Sequence, residues 1–158
     1  MRNDLSDSSR VWIYQAERSL TPEEINYINE RLTRFCISWT AHDQALKAAF
    51  DVLYQRFILL SVDETATGAS GCSIDKSTRE LKDISLHLNI DFFNRMNLAY
   101  LKDEQVLTVP LNETEQLKAQ GEISEDTLFF NTLVKDLGDL KRQFLIPYKQ
   151  HWINRTSK

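Results

Sequence analysis

Three stretches in the first half of the chain carry the apolar patterns of β-strands. Val11–Gln15 is rich in β-branched and aromatic residues, which pack well on a pleated surface. Leu46–Tyr54 alternates apolar and polar residues with the period of a half-buried strand, whereas Phe57–Val62 is a continuous apolar run typical of a central strand. The last two strands are predicted to pair as a hairpin around Gln55–Arg56.

Two amphipathic helices are predicted between and after these strands. Thr21 can cap the first helix, Pro22 suits its first position because no N–H is needed there, and Glu24 completes a capping box. The apolar face of this helix recurs at spacings of three and four residues: Ile25, Ile28, Leu32, Phe35, Cys36 and Trp39. The second helix follows a loop of small residues and carries its apolar face at Ile74, Ser77, Leu81, Ile84 and Leu88.

The remaining third has shorter patterns. Met96–Tyr100 and Val106–Val109 predict two strands joined through Lys102–Glu104. Asn112 and Glu115 have the spacing of a capping box at the start of a short helix. These patterns predict a hairpin followed by one or two helical turns.

A glycine and a proline limit the secondary structure that the C-terminal part of the chain can form. Gly121 is placed to end the short helix in a left-handed conformation. Thr127–Phe130 is an apolar segment that fits either a strand or a helix. Pro147 lies within the final aromatic segment, and because it has no N–H to donate, a continuous helix is not expected there.

These elements together predict an α+β fold. A βαββα first half, with the ferredoxin-like split βαβ pattern, is expected to pack on an antiparallel sheet, followed by a β-hairpin, a short helix and an aromatic C-terminal segment. The predicted organisation is a disordered lead over residues 1–10, the βαββα half over 11–95, a hairpin and helix half over 96–153 packed as one domain with the first, and a frayed tail over 154–158.

Composition narrows the class of protein. The 158 residues are 42% hydrophobic, contain only 4 Gly and 3 Pro, and carry a formal net charge of −4, which is typical of a globular domain and gives no basic footprint for nucleic acid. No apolar run approaches the ~20 residues that a membrane helix needs, and the polar N-terminal stretch lacks the apolar core of a signal peptide. Two cysteines at unlike positions fit a reducing compartment, so we expect a cytoplasmic protein without membrane insertion.

The loop before the second helix suggests an anion or nucleotide site. Its small residues lead into Lys76 and Ser77, with Gly71 and Ser73 as further candidate contacts for phosphate. Alignment with a phosphate-binding loop, however, places a non-glycine residue at both required glycines, one of them Asp75. A carboxylate at that point repels a phosphate, so ATP binding is the less favoured hypothesis.

A second hypothesis makes Cys72 a nucleophile. A helix N-terminus lowers the pKa of a thiol and stabilises an oxyanion, while His42 could act as the base and Asp63 could orient it. In the competing interpretation Cys72 packs under the helix start, Ser73 is the N-cap and His42 bonds a backbone group. Nothing in the spacing shows that the three residues meet, and we favour the structural interpretation.

No cofactor or metal is expected, because the two cysteines and three histidines lack the close paired spacings of zinc sites. Aromatic residues near the C-terminus could line a groove for a peptide or protein partner, or they could be core. The candidates for such a groove are Tyr100, Phe129, Phe130 and Trp152.

Several segments spread over the chain from Val11 to Trp152 carry a family resemblance: Val11–Gln15, Trp39–His42, Arg56–Ile58 with Val62–Glu64, Gly71–Ser77, Gly121–Ile123 with Asp126–Thr127, and Phe130–Asn131 with Leu133–Val134. The chain resembles a family of small cytoplasmic proteins of Bacteroidota that often carry the label "ABC transporter ATPase". The family has no established activity, and its label implies ATP binding at Ser70–Ser77. One departure from the family pattern is Asp43, where members tend to have glycine.

A second resemblance covers about a third of the chain. Leu98–Tyr100, Val109–Pro110, the short helix ending near Gln120, and Gly121–Phe129 are similar to bacterial GYF-like adaptor domains. That resemblance implies peptide binding, although Thr108–Pro110 replaces the diagnostic Gly-Pro. The leading hypothesis is therefore a non-enzymatic binding or adaptor protein; the alternatives are an enzyme using Cys72 and a nucleotide-binding protein. The oligomeric state is left open.

Overall fold

The computed structural model describes residues 4–153. The helices in this range are α1 (Pro22–Ser38), α2 (Gly71–Leu88), α3 (Thr114–Ala119) and α4 (Leu137–Gln143). The strands are β1 (Arg10–Gln15), β2 (Thr40–Ala41), β3 (Gln44–Ala45), β4 (Lys47–Leu53), β5 (Phe57–Asp63), β6 (Asn97–Lys102), β7 (Gln105–Pro110), β8 (Leu128–Phe130) and β9 (Leu145–Pro147). Helices combined with antiparallel sheets confirm the predicted α+β class.

The first sheet has the order β1-β5-β4, with both pairs antiparallel. Every residue of β5 is buried, as expected of a central strand. Residues 54–56 connect β4 to β5, with Leu53 opposite Phe57, so the predicted turn at Gln55–Arg56 lies within this connection. Tyr54 and Gln55 have positive φ, 54° and 52°, and the Arg56 N–H donates to the Leu53 carbonyl at 3.0 Å, which closes the turn around them.

The second sheet has the order β7-β6-β8-β9. Because β6 pairs with β7 and β8 and not with β1, the closing strand of a complete ferredoxin-like sheet is not confirmed. The segment Thr127–Phe130, which fitted either a strand or a helix, forms strand β8 over Leu128–Phe130. Pro147 ends the short strand β9, so the final aromatic segment is not a continuous helix, as predicted.

Helix α1 begins as its sequence predicts. The Thr21 hydroxyl accepts from the Glu24 N–H, and the Glu24 carboxylate accepts from the Thr21 N–H. Arg18 pairs with the same carboxylate at 2.7 Å and, together with the cap hydrogen bonds, lowers the pKa of Glu24 to about 2. Ile28 and Leu32 lie fully buried on the predicted face.

The remaining helices agree with the sequence less closely. The N-cap of α2 is Ser70, three residues before the predicted Ser73, which instead completes the capping box from inside the helix. Helix α3 starts at Thr114, one residue later than a cap at Asn112 predicts, because Asn112 lies within a preceding 3₁₀ turn; no side chain of the described residues caps the helix. Gly121 follows α3 with φ of +77°, as expected.

The N-terminal lead, predicted to be disordered, is packed where the structure describes it. Leu5 and Ser9 are buried, and Asp7 pairs with Lys141 of α4 at 2.6 Å. The burial of Leu5 and this ion pair hold the segment against the rest of the fold. Neither contact could be inferred from the polar composition of the segment. The predicted frayed tail over residues 154–158 lies outside the described residues.

One apolar cluster joins the two sheets. It combines residues of β1 and β5 with residues of β6, β8 and the C-terminal segment: Leu5, Val11, Phe57, Leu59, Ala99, Phe130, Val134, Leu137, Leu140 and Phe144. Because both sheets contribute to this cluster, their relative position is set by shared packing. The clefts between the sheets are therefore built on packed elements.

Candidate peptide-binding cleft

The outer edge of β1 is covered over its first part by residues 135–137, here called the covering segment. The Val11 N–H donates to the carbonyl of Lys135 at 3.1 Å, and the Leu137 N–H donates to the carbonyl of Ser9 at 3.0 Å. Arg10 and Asp136 form a short antiparallel bridge at the same place. The covering segment thus satisfies main-chain groups that a strand at the edge of a sheet leaves unpaired.

The second part of the same edge is open. Alternate residues of a strand present their main-chain groups to the same edge, so Ile13 and Gln15 face the side on which Val11 donates. Within residues 4–153 no strand pairs with Ile13 or Gln15 on this side. The Gln15 side chain reaches across and donates to the carbonyl of Asn97 at 3.2 Å.

The first residues of β6 form the opposite wall of this opening. On the other edge of β6, the Met96 carbonyl accepts from Leu111, so the alternation turns the main-chain groups of Asn97 and Ala99 toward β1. Strand β8 pairs with β6 only at Tyr100 and Leu101, so on this edge the earlier residues of β6 pair with no strand of the described chain, although β7 pairs with them on the other edge. Two strand edges therefore face one another across a gap.

This gap, here called the cleft, has a volume of about 190 Å³. Its walls are largely apolar and aromatic, with Phe92, Leu98 and Phe130 deep and Phe93, Leu133 and Trp152 toward the mouth. Leu133 is 51% exposed and Phe93 36% exposed. The volume is below the roughly 300–1,000 Å³ of sites for drug-sized ligands, so the cleft suits a narrow extended chain better than a bulky cofactor.

The electrostatics of the cleft are simple. Arg95 is the charged side chain among its lining residues, and it forms no ion pair within residues 4–153. His151 also lines the cleft but is fully buried, and desolvation lowers its pKa, which keeps it neutral at pH 7. Its Nδ1 accepts from the Ile153 N–H and its Nε2 donates to the Phe130 carbonyl at 3.3 Å. The cleft therefore carries one positive charge.

Of the four aromatic residues predicted to bind a peptide, two lie in the cleft and two lie in the core. Phe130 and Trp152 line the cleft. Tyr100 and Phe129 are instead buried core residues whose rings stack at 5.3 Å, so they cannot contact a peptide from the surface. Their burial follows from the β6–β8 pairing, which places them directly opposite each other.

The proposed catalytic residues lie on three separate elements. Cys72 is exposed in the first turn of α2 and not packed beneath it, His42 is exposed in the turn between β2 and β3, and Asp63 ends β5. Hydrogen bonds from Thr65 lower the pKa of Asp63, and Lys47 lies 3.7 Å away. No hydrogen bond or ion pair among residues 4–153 joins the three, and a catalytic role stays a prediction.

The predicted phosphate loop is helix. Ser70 is the N-cap of α2, and Gly71–Ser77 forms the first two turns. Ser73 and Ser77 are buried, and their hydroxyls donate to the carbonyls of Ser70 and Ile74, while Lys76 lies exposed on the helix surface. These hydroxyls already have partners, so the geometry gives no support to phosphate binding, which remains untested.

Two further functional classes are metal binding and membrane insertion. In residues 4–153 no cluster of three or more His, Cys, Asp or Glu side chains could hold a metal ion. No helix in the same range is long and apolar enough to cross a membrane.

Comparison with protein-family models, with curated proteins and with solved structures finds no match to this chain. Sequence reasoning identified Phe130 and Trp152 but missed Ile13, Gln15 and Arg95. The β-branched and aromatic residues of Val11–Gln15 predicted a strand, but which edge of a strand stays open depends on segments more than a hundred residues away.

Proposed function

We propose that this protein is a non-enzymatic binding or adaptor protein of the cytoplasm, and that it takes an extended peptide into the cleft as an added strand. The observation that carries the proposal is a pair of strand edges, at Ile13–Gln15 and Asn97–Ala99, which pair with no strand of residues 4–153 on the sides that face each other across the cleft. In recognition by strand addition, main-chain hydrogen bonds supply affinity and side-chain pockets supply selectivity.

The lining supports a particular peptide chemistry. Phe93, Leu133 and Trp152 at the mouth offer apolar contacts to side chains that leave the peptide on one face. Arg95 is free of an acidic partner in the described chain, so it can pair with an acidic side chain or a terminal carboxylate of the peptide. The preferred ligand is an extended segment with small apolar residues and a carboxylate at one position.

The experiment starts from a library of random octapeptides displayed on phage and selected on the immobilised protein. Enriched sequences are synthesised and titrated by isothermal calorimetry and by ¹H–¹⁵N NMR. We expect a shared acidic position, and we expect the largest amide shifts at Ile13 and Ala99, the residues whose main-chain groups face the cleft.

Matched variants locate the site. Arg95→Glu reverses a charge in the cleft, and we expect it to weaken the peptide by about tenfold. Arg79→Glu makes the same change on the exposed surface of α2, away from the cleft lining, and should change affinity by less than about twofold. No enrichment over uncoated support, or equal effects of the two substitutions, would refute the proposal.

A further inference from the structure

A buried arginine, Arg56, lies between the β4–β5 hairpin of the first sheet and β7 of the second. Arg56 starts the β5 side of the first hairpin and is only 8% exposed. Its Nη2 donates to the Val106 carbonyl of β7 at 3.4 Å, which is a long hydrogen bond, and its Nε has no hydrogen-bond partner in the described part of the chain. No carboxylate of residues 4–153 forms an ion pair with it.

This arrangement is costly for a folded protein. Charged side chains are rarely this buried unless they are paired, because removing a charge from water costs several kcal/mol that partners must offset. Burial accordingly lowers the pKa of Arg56, and no acidic neighbour raises it. A guanidinium has five N–H donors, so a single long hydrogen bond leaves most of its capacity unused.

Arg56 faces a pocket formed by two similar turns. The first turn is Tyr54–Gln55, and the second, Asp103–Glu104, joins β6 to β7 with positive φ at both residues. The pocket between them has a volume of about 500 Å³, and Ser19 lines its rim. Main-chain hydrogen bonds hold the first turn in place, from Leu20 to the Gln55 carbonyl at 2.7 Å and from Ala16 to the Arg56 carbonyl at 2.8 Å.

We propose that this pocket, here called the Arg56 pocket, binds an oxyanion group, either a carboxylate or a phosphate, on the guanidinium of Arg56. A planar guanidinium donates two parallel N–H bonds to such a group, and because Nε lies below the surface, the terminal Nη atoms are the donors that an anion in the pocket can reach. The site is separate from the peptide cleft and does not depend on the function proposed for it.

Glu104 limits the affinity of this pocket. It is the acidic side chain among the lining residues, and its carboxylate repels an incoming anion. Asp103 is its neighbour in the same turn but does not line the pocket. The two residues therefore provide a matched pair, because neutralising either one changes the net charge equally.

The test follows the Nε–H resonance of Arg56 by ¹H–¹⁵N NMR while inorganic phosphate or acetate is added at constant ionic strength, with sodium chloride as the balancing salt. We expect a saturable shift at Arg56 with at least one of the two anions. Saturation by phosphate alone or by acetate alone identifies which oxyanion the pocket takes. A response that is linear up to high concentration, or that chloride reproduces, would overturn the proposal.

Two substitutions sharpen the result without removing the buried arginine. Glu104→Gln should tighten anion binding by at least about threefold, whereas Asp103→Asn should leave it nearly unchanged. Equal effects would mean that only the overall charge matters, and would overturn the proposal. A large shift of the Arg56 resonance on Glu104→Gln before any anion is added would show that Glu104 itself occupies the pocket, which also overturns it.

Discussion

The outer edge of β1 has two parts that differ in protection. Around Val11, the covering segment supplies hydrogen bonds, and Leu137 buries its side chain in the cluster shared by the two sheets. Around Ile13, the same edge opens onto the cleft, and no strand of residues 4–153 pairs with it there. Exposed strand edges promote unwanted association, and proteins usually cover them. A chain that covers one part of an edge and leaves the adjoining part open supports a binding role for the open part.

The largest expected effect is on the free energy of unfolding, and it is tested with one leucine from each part of the edge. Leu137 of the covered part is 2% exposed and Leu133 of the cleft mouth is 51% exposed. We expect Leu137→Ala to lower the free energy of unfolding by about 2–4 kcal/mol, because it leaves a cavity in the core. Leu133→Ala should change it by no more than about 0.5 kcal/mol and should instead weaken peptide binding.

Urea denaturation followed by circular dichroism measures both leucine variants at the same protein concentration. Similar losses of stability in the two would mean that the cleft mouth is as structural as the covering segment. The open and covered parts of the β1 edge would then not differ in their role.

A proline scan gives the next largest effect and acts on the main chain directly. Val11→Pro removes an N–H that donates to Lys135, while Ile13→Pro removes one that faces the cleft. Proline is tolerated in an edge strand where the lost N–H has no partner. We expect Val11→Pro to cost about 1 kcal/mol more than Ile13→Pro in the free energy of unfolding.

Thermal and urea unfolding measure the cost of each proline, and calorimetry measures peptide binding by each variant. Ile13→Pro should stay folded and lose the peptide, because the donor for the added strand is gone. Full binding by a folded Ile13→Pro variant would rule out hydrogen bonding at this edge.

The smallest expected effect is a pH dependence of stability that comes from His151, a buried residue in the lining of the cleft. Burial lowers the pKa of His151 below its ordinary value of 6.5. The unfolded chain therefore takes up a proton at a higher pH than the folded protein, and stability should fall as pH drops from 8 through 6.5 toward 5. His151→Gln keeps a hydrogen-bonding side chain without a titrating group and should flatten this slope.

Denaturation at pH 8, 6.5 and 5 tests the role of His151. Leu86→Ala, on the exposed face of α2, is the control and should keep the slope of the wild-type protein, because Leu86 is 81% exposed and does not titrate. If His151→Gln kept the wild-type slope, another group would be responsible.

Local signals predicted the first half of the fold well. Thr21, Pro22 and Glu24 specify the start of α1 through contacts within one turn, and such contacts can be read from a short stretch of sequence. Helix α4 was missed because it is short and contains Gly138, which lowers helix propensity. That glycine has a long-range reason: its N–H donates to the Asp7 carbonyl at 2.8 Å, and an added Cβ would lie 3.3 Å from the same oxygen.

The candidate sites were harder to predict because each depends on a partner that a residue lacks: a neighbouring strand in the cleft, and a carboxylate at Arg56. Among residues 4–153, no strand pairs with Ile13 or Ala99 on the edges that face the cleft, and no carboxylate forms an ion pair with the buried guanidinium of Arg56. Neither condition has a pattern in the neighbouring sequence. The residues that looked most like a motif, Gly71–Ser77, form a helix start whose serine hydroxyls are already bonded.

The separation in sequence between β1 and its covering segment sets an order of events during synthesis. The ribosome adds Val11 long before Lys135, and at roughly 5–20 residues per second the interval is on the order of ten seconds. Strand β5 is complete at Asp63, so β1 and β5 can pair early in that interval. Until the covering segment emerges, the nascent chain exposes the whole outer edge of β1, a surface that chaperones shield and that recruits other unfolded chains.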